Sequence, residues 1–171
     1  TTYVLPVNFT YIVLIEDGNY PINTTLNYYS NGYCKKLAFI SNKIATIDFS
    51  ANTNVVLAGT SGQPDSGNQL KYWLPFGTLK FSQTVSQKFF YIPGLEINVD
   101  TIITPITAYS ASEGLFYIFN NNAKIDIKQL NLGCNFIVNG RGTINGNTIN
   151  IFNTNVIGTN VHIMTGGGTN D

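Results

Sequence analysis

The residues able to do chemistry in this 171-residue chain are few. There is one histidine, His162, with two cysteines and nine acidic side chains. A Ser-His-Asp site needs its histidine held by a carboxylate and touching an activated serine. The acids nearest to His162 in sequence are Asp126 and Asp171, and no G-x-S-x-G turn is present. A zinc site needs three or four His, Cys or acidic ligands, which one histidine and two distant cysteines do not supply. Cofactor loops are missing as well. Gly140-x-Gly142 and Gly166-Gly167-Gly168 lack the lysine and the following helix of a phosphate cradle.

Paired carboxylates are the remaining catalytic option, through glycoside hydrolysis. Glu16, Asp17, Glu96, Asp100 and Glu113 are the candidates, and Glu96 and Asp100 fall on one strand face with Asn98 between them. Nine acids spread over the chain are also what solubility alone requires. The reading is therefore of a non-enzyme, with no catalytic, metal or cofactor residues assigned.

Cys34 and Cys134 have no C-x-x-C partner. In an oxidising compartment they are a disulfide candidate, worth about 4–5 kcal/mol in the chain-entropy model. The alternative is two buried reduced thiols. Asn8 and Asn23 each open an N-x-Thr sequon and are candidate glycosylation sites. Residue 1 is Thr, which reads as a processed terminus of a secreted chain.

Aromatic side chains are abundant, with 11 Phe, 10 Tyr and one Trp. Tyr28-Tyr29, Tyr72-Trp73 and Phe89-Phe90-Tyr91 are adjacent, so in a strand their members point to opposite faces. Tyr72 and Trp73, beside the polar loop 59–68, are the candidate ligand contacts, through stacking on sugar rings. The simpler use of such rings is to fill a core or an interface.

Charge is the compositional anomaly. Only 11% of residues are charged, and nine basic and nine acidic groups cancel. Ordinary soluble domains carry about 25%. Nucleic-acid binding needs surplus Lys and Arg and is excluded on this ground. No apolar run is long enough for a spanning helix. The surface is made polar by neutral groups instead, with 23 Asn and 19 Thr. A nearly uncharged surface favours self-association.

The elements that must position these residues read as β throughout. Tyr3, Leu5, Val7, Phe9, Tyr11, Val13 and Ile15 alternate with the intervening residues. They predict a strand of up to 13 residues, interrupted or placed at an edge by Pro6. Segments 37–40 and 44–49 read as a hairpin, and Asn31-Gly32 as a hairpin turn. Strands follow at 70–74, 78–81, 85–92, 95–103, 115–119 and 124–128. Beyond residue 130 the chain is rich in Asn, Gly, Thr and Ile, with Asn139-Gly140 and Asn145-Gly146 as turns. Two architectures compete there. One is a meander of hairpins closing a sandwich. The other is a short β-helix, whose corners also use Asn and Gly.

The expectation is one all-β domain of about 8–12 short strands, a β-sandwich or jelly roll with a long N-terminal strand. Residues 1–15 form that strand, 16–163 the sandwich and 164–171 a flexible Gly-rich terminus. The pattern resembles that of donor-strand pilins and single jelly-roll coat proteins, with no shared motif. The functional expectation is a self-assembling structural subunit of an extracellular filament, a pilus-like fibre or a virion coat or capsid. Strand 3–15 is either donated to a neighbour or kept as the first strand of its own domain. Partners are then further copies or other coat subunits. The alternative is a carbohydrate- or receptor-binding head.

Overall fold

In the computed structural model the described residues are 9–22, 36–50, 69–81, 87–90, 95–104, 115–119, 124–133, 135–139, 148–158 and 163–166. These residues contain no helix and form twelve strands. Eight lie in one sheet: β1 (Thr10–Val13), β2 (Gly18–Pro21), β3 (Lys36–Ile40), β4 (Ala45–Asp48), β5 (Gln69–Lys80), β7 (Glu96–Ile103), β9 (Lys124–Leu132) and β11 (Thr148–Val156). The other four, β6 (Gln87–Phe90), β8 (Leu115–Phe119), β10 (Asn135–Asn139) and β12 (Ile163–Gly166), form a second sheet.

Every described pairing is parallel. Parallel neighbours need a long connection between them. Here that connection is a full turn of the chain: Thr10 pairs with Leu37, Leu37 with Leu70, and Glu96 with Lys124. From β5 onward the chain visits the eight-stranded sheet and then the four-stranded sheet once per turn. This is the course of a β-helix. A β-sandwich or jelly roll is not confirmed, since both are built from antiparallel strands. Segments 37–40 and 44–49 do not form a hairpin. β3 and β4 each pair with the equivalent strands of the turns before and after. The apolar alternation is the same in either architecture, so it did not distinguish them.

The core is built from columns. Ile12, Phe39, Tyr72, Ile97, Ile125 and Ile149 stand in register across six strands. A second column runs Tyr20, Ile47, Leu79, Ile102, Leu130 and Thr154. Every middle member of both columns is buried. The aromatic rings stack directly. The Phe39 ring centre lies 5.0 Å from that of Tyr72 and the Phe49 centre 4.9 Å from that of Phe81, each pair stacked with nearly parallel planes. Those distances match the ~4.7–4.9 Å spacing of adjacent strands, so flat rings in register are brought into van der Waals contact by the backbone itself.

The N-terminal segment differs from the expected long strand. Only Thr10–Val13 are a strand among its described residues, and they pair with the chain's own Leu37–Ile40. The inward side chain is Leu14, which is buried, whereas Val13 and Ile15 are exposed and Phe9 sits on the outer face against Lys71. Among the described residues of this segment Leu14 alone is buried, while Thr10 and Ile12 are exposed at the end of the sheet. Gly18, at φ 144°, turns the chain into β2, and the Asp17 carboxylate accepts a hydrogen bond from the Ile44 amide at 2.8 Å. Tyr3, Leu5, Val7, Pro6, Asn8, Asn23, Asn31-Gly32, Cys34, loop 59–68, Glu113, Cys134, His162 and the Asn-Gly turns at 139–146 lie wholly or partly outside the described residues.

Two positions give direct tests of the stack. β5 shifts register between Leu74 and Thr78, where Gly77 packs under the preceding turn. A Cβ on Gly77 would sit 2.6 Å from the Ala45 carbonyl oxygen and 2.9 Å from Leu74 Cβ. The oxygen belongs to backbone and cannot swing away. Gly77→Ala is expected to destabilise by about 1–3 kcal/mol, read as a lower urea midpoint at unchanged slope.

The second is Asp48, which is 7% exposed. Its carboxylate accepts hydrogen bonds from the Ser50 amide at 2.9 Å and from Lys80 Nζ at 3.1 Å. Burial by itself pushes the carboxyl upward. The Ser50 hydrogen bonds and the Lys80 charge outweigh it and hold the carboxyl below 3.8. A depressed carboxyl stabilises the fold above its unfolded pKa and loses that contribution as pH falls through the folded value. Stability is therefore expected to decline below pH 3.8, and the decline should be shallower in Asp48→Asn. Denaturant titrations at a series of acidic pH values check this.

Candidate functional site

Residues alternate in and out along a strand, so the inward columns fix the outward ones. With Tyr72, Leu74, Ile97, Val99, Ile125 and Ile127 buried, their neighbours form columns on the outer face of β5, β7 and β9. One column is Lys71, Glu96 and Lys124, continued by Thr148. The next is Trp73, Asn98, Asp126 and Asn150. Between them, over Tyr72 and Ile97, is a concavity of about 240 Å³.

The first column is an alternating ion ladder. Glu96 receives Lys71 at 2.8 Å and Lys124 at 3.8 Å. In the second column the Asn150 amide donates to Asp126 Oδ1 at 2.6 Å. The Asn98 side chain, one strand away, makes no hydrogen bond among the described residues. Farther along the same face Lys128 bridges Asp100 at 3.4 Å and the Pro75 carbonyl at 2.7 Å, and lies 5.3 Å from the Phe76 ring centre. Surface ion pairs of this kind contribute at most about 1 kcal/mol each. Their larger effect is to hold long side chains in fixed positions around the concavity.

Of the two expected ligand contacts, only Trp73 lies at this surface. Tyr72 is 1% exposed and its ring is stacked in the core on Phe39. The adjacent pair does split between faces, and the tyrosine is the inward member. Lys71, Asn98, Lys124, Asp126 and Asn150 were not singled out from the sequence as ligand contacts. A signal for the Asn and Asp members exists. Ile97-Asn98-Val99, Ile125-Asp126-Ile127 and Ile149-Asn150-Ile151 repeat one pattern, an amide or carboxylate between two inward aliphatic residues.

Glu96 and Asp100 do not form a catalytic pair by their placement. Four residues of extended strand separate them by about 13 Å, beyond the ~5–9.5 Å that retaining or inverting hydrolysis uses. Each is instead bound to lysine. Among the described residues no group of three or more His, Cys, Asp or Glu could hold a metal ion. No helix there is long and apolar enough to cross a membrane.

No family model matches the chain, and no curated protein and no solved structure matches it. The functional reading rests on the geometry above.

Proposed function

We propose that the chain is a non-enzymatic structural subunit that self-assembles by stacking its coils end to end, in an extracellular filament or a virion coat. One observation carries this reading: among the described residues, the strands at both ends of the eight-stranded sheet have no further strand beside them and carry no charge, Glu16 and Asp17 of the first coil lying in the turn between β1 and β2. β1 and β2 form one end and β11 the other. None of the three contains a charged residue, whereas β5, β7 and β9 carry Lys71, Glu96, Asp100, Lys124, Asp126 and Lys128. Natural edge strands are usually protected by charge, and solenoids by polar end caps.

The exposed apolar side chains follow the same division. Ile12, Val13 and Ile15 belong to the first coil, and Phe152, Val156, Ile157 and Ile163 to the last. Only Ile44 and Phe76 are exposed large hydrophobics elsewhere among the described residues. A second copy is the occupant that fits both ends at once. Placed one strand spacing beyond β11, its first coil continues every column: Ile149 onto Ile12 and Asn153 onto Asn19. A head-to-tail contact of this kind does not close on itself and yields a filament.

In this reading end-to-end stacking takes the place of strand donation, since Thr10–Val13 pair with Leu37–Ile40 of the same chain. Sedimentation velocity over a concentration series, with negative-stain imaging, tests the reading. Species growing in steps of 18.8 kDa toward linear particles are expected. A chain that stays monomeric into the millimolar range would overturn it.

A further inference from the structure

We propose that the outer-face concavity between Lys71–Glu96–Lys124 and Trp73–Asn98–Asp126 binds a neutral oligosaccharide lying across the strands. The concavity itself lies on β5, β7 and β9, inside the sheet ends, and of the groups that extend it only Asn150 belongs to an end strand.

The chemistry of the lining selects the ligand class. Two lysines and two carboxylates balance, so neither a polyanion nor a polycation is favoured. What is offered is a half-buried indole beside planar acceptor and donor groups. Asp126 keeps one carboxylate oxygen beyond its bond to Asn150, Asn150 keeps its carbonyl oxygen, and the Asn98 amide makes no hydrogen bond among the described residues. Vicinal hydroxyls donate to and accept from such groups in pairs, while the C–H face of a sugar ring lies on an indole.

The spacing suits a chain of sugars. Trp73, Asn98, Asp126 and Asn150 stand on four successive strands, so the column spans about 14 Å with a group roughly every 4.8 Å. All four are fixed by a sheet whose opposite face is packed core, which removes the ordering cost that loops would pay. The concavity, at about 240 Å³, is smaller than the ~300–1,000 Å³ of enclosing small-molecule pockets. It therefore seats one ring beside Trp73 and leaves the rest of the oligosaccharide on the open face.

Trp73 is the chain's one tryptophan, so emission excited at the red edge of its absorption, where the 10 tyrosines do not absorb, reports on this site. The test titrates the full chain with tetrasaccharides of glucose, mannose, galactose and N-acetylglucosamine, and with a heparin tetrasaccharide as the charged control. A saturable change in emission with at least one neutral probe is expected in the millimolar range or tighter. Asp126→Ala and Asn98→Ala should each weaken it, the first by about tenfold or more, with far-UV circular dichroism unchanged. No saturable change with any neutral probe would overturn the proposal. So would binding confined to heparin, or binding that persists undiminished in both variants.

Discussion

Phe81→Ala is expected to destabilise the fold by about 3–5 kcal/mol, a large part of the ~5–15 kcal/mol that holds an ordinary domain together. The ring is 1% exposed and stacked at 4.9 Å on Phe49, itself fully buried. Removing it leaves a cavity between the coil of β3 and β4 and that of β5, and strips Phe49 of one face. Neither coil can collapse into the space, because their separation is set by backbone hydrogen bonds such as Phe49 N–H to the Lys80 carbonyl at 2.8 Å. In a solenoid each coil depends chiefly on its neighbours. The loss should therefore uncouple the N-terminal coils first, and hydrogen exchange should accelerate in β1–β4 more than in β9 and β11. Phe81→Leu keeps most of the volume and should cost about 1–1.5 kcal/mol. Urea unfolding of both variants measures this. A loss below 1 kcal/mol for the alanine variant would mean that the columns do not carry the stability assigned to them here.

The second large effect is on association. Asn19→Lys and Asn153→Lys, made together, are expected to abolish end-to-end growth, raising the dissociation constant at least about tenfold. In the proposed stack Asn153 of one copy lies against Asn19 of the next, so the two lysines meet across a strand pair, where like charges oppose one another. Both asparagines are exposed at sheet ends, and the folded subunit should keep its stability to within about 0.5 kcal/mol. Asn19→Asp with Asn153→Lys converts the repulsion into an ion pair and should restore assembly. Added salt should shrink the difference between the two double variants. Sedimentation velocity reads all of these. If the lysine pair assembles as well as the parent chain, the ends are not the interface. If the mixed pair fails as completely as the lysine pair, the register of Asn153 against Asn19 is wrong.

Several strands could be located from the sequence because burial imposes a period of two. Segment 115–119 coincides with β8, Leu115–Phe119, and the alternation around Ile97 and Val99 with β7, Glu96–Ile103. The same period assigns faces: Ile125 and Ile127 inward, Lys124, Asp126 and Lys128 outward. Tyr72 and Trp73 had to split between faces, but which one faced the core depended on the neighbouring strands.

The turn of the chain after each strand was not legible in the same way. A hairpin and a β-helix corner both use Asn, Gly and short polar runs. The register offsets vary, with 27 residues between Thr10 and Leu37, 32 between Asp48 and Lys80, and 24 between Asp126 and Asn150. No fixed repeat therefore stands out. The columns tolerate exchange of one large apolar residue for another, as in Phe39, Tyr72, Ile97 and Ile125, which blurs the repeat further.

By itself, the sequence determined the β character of the described strands, which faces of β7 and β9 are buried, and that little charge is available for the surface. These follow from local alternation and composition. Tertiary structure decided that neighbouring strands run parallel, that Phe49 stacks on Phe81, and that Trp73, Asn98 and Asp126 share one concavity. Each of those depends on which segment lies about 5 Å away. That choice is made by the summed packing of whole coils some two to three dozen residues apart, and no local pattern records it.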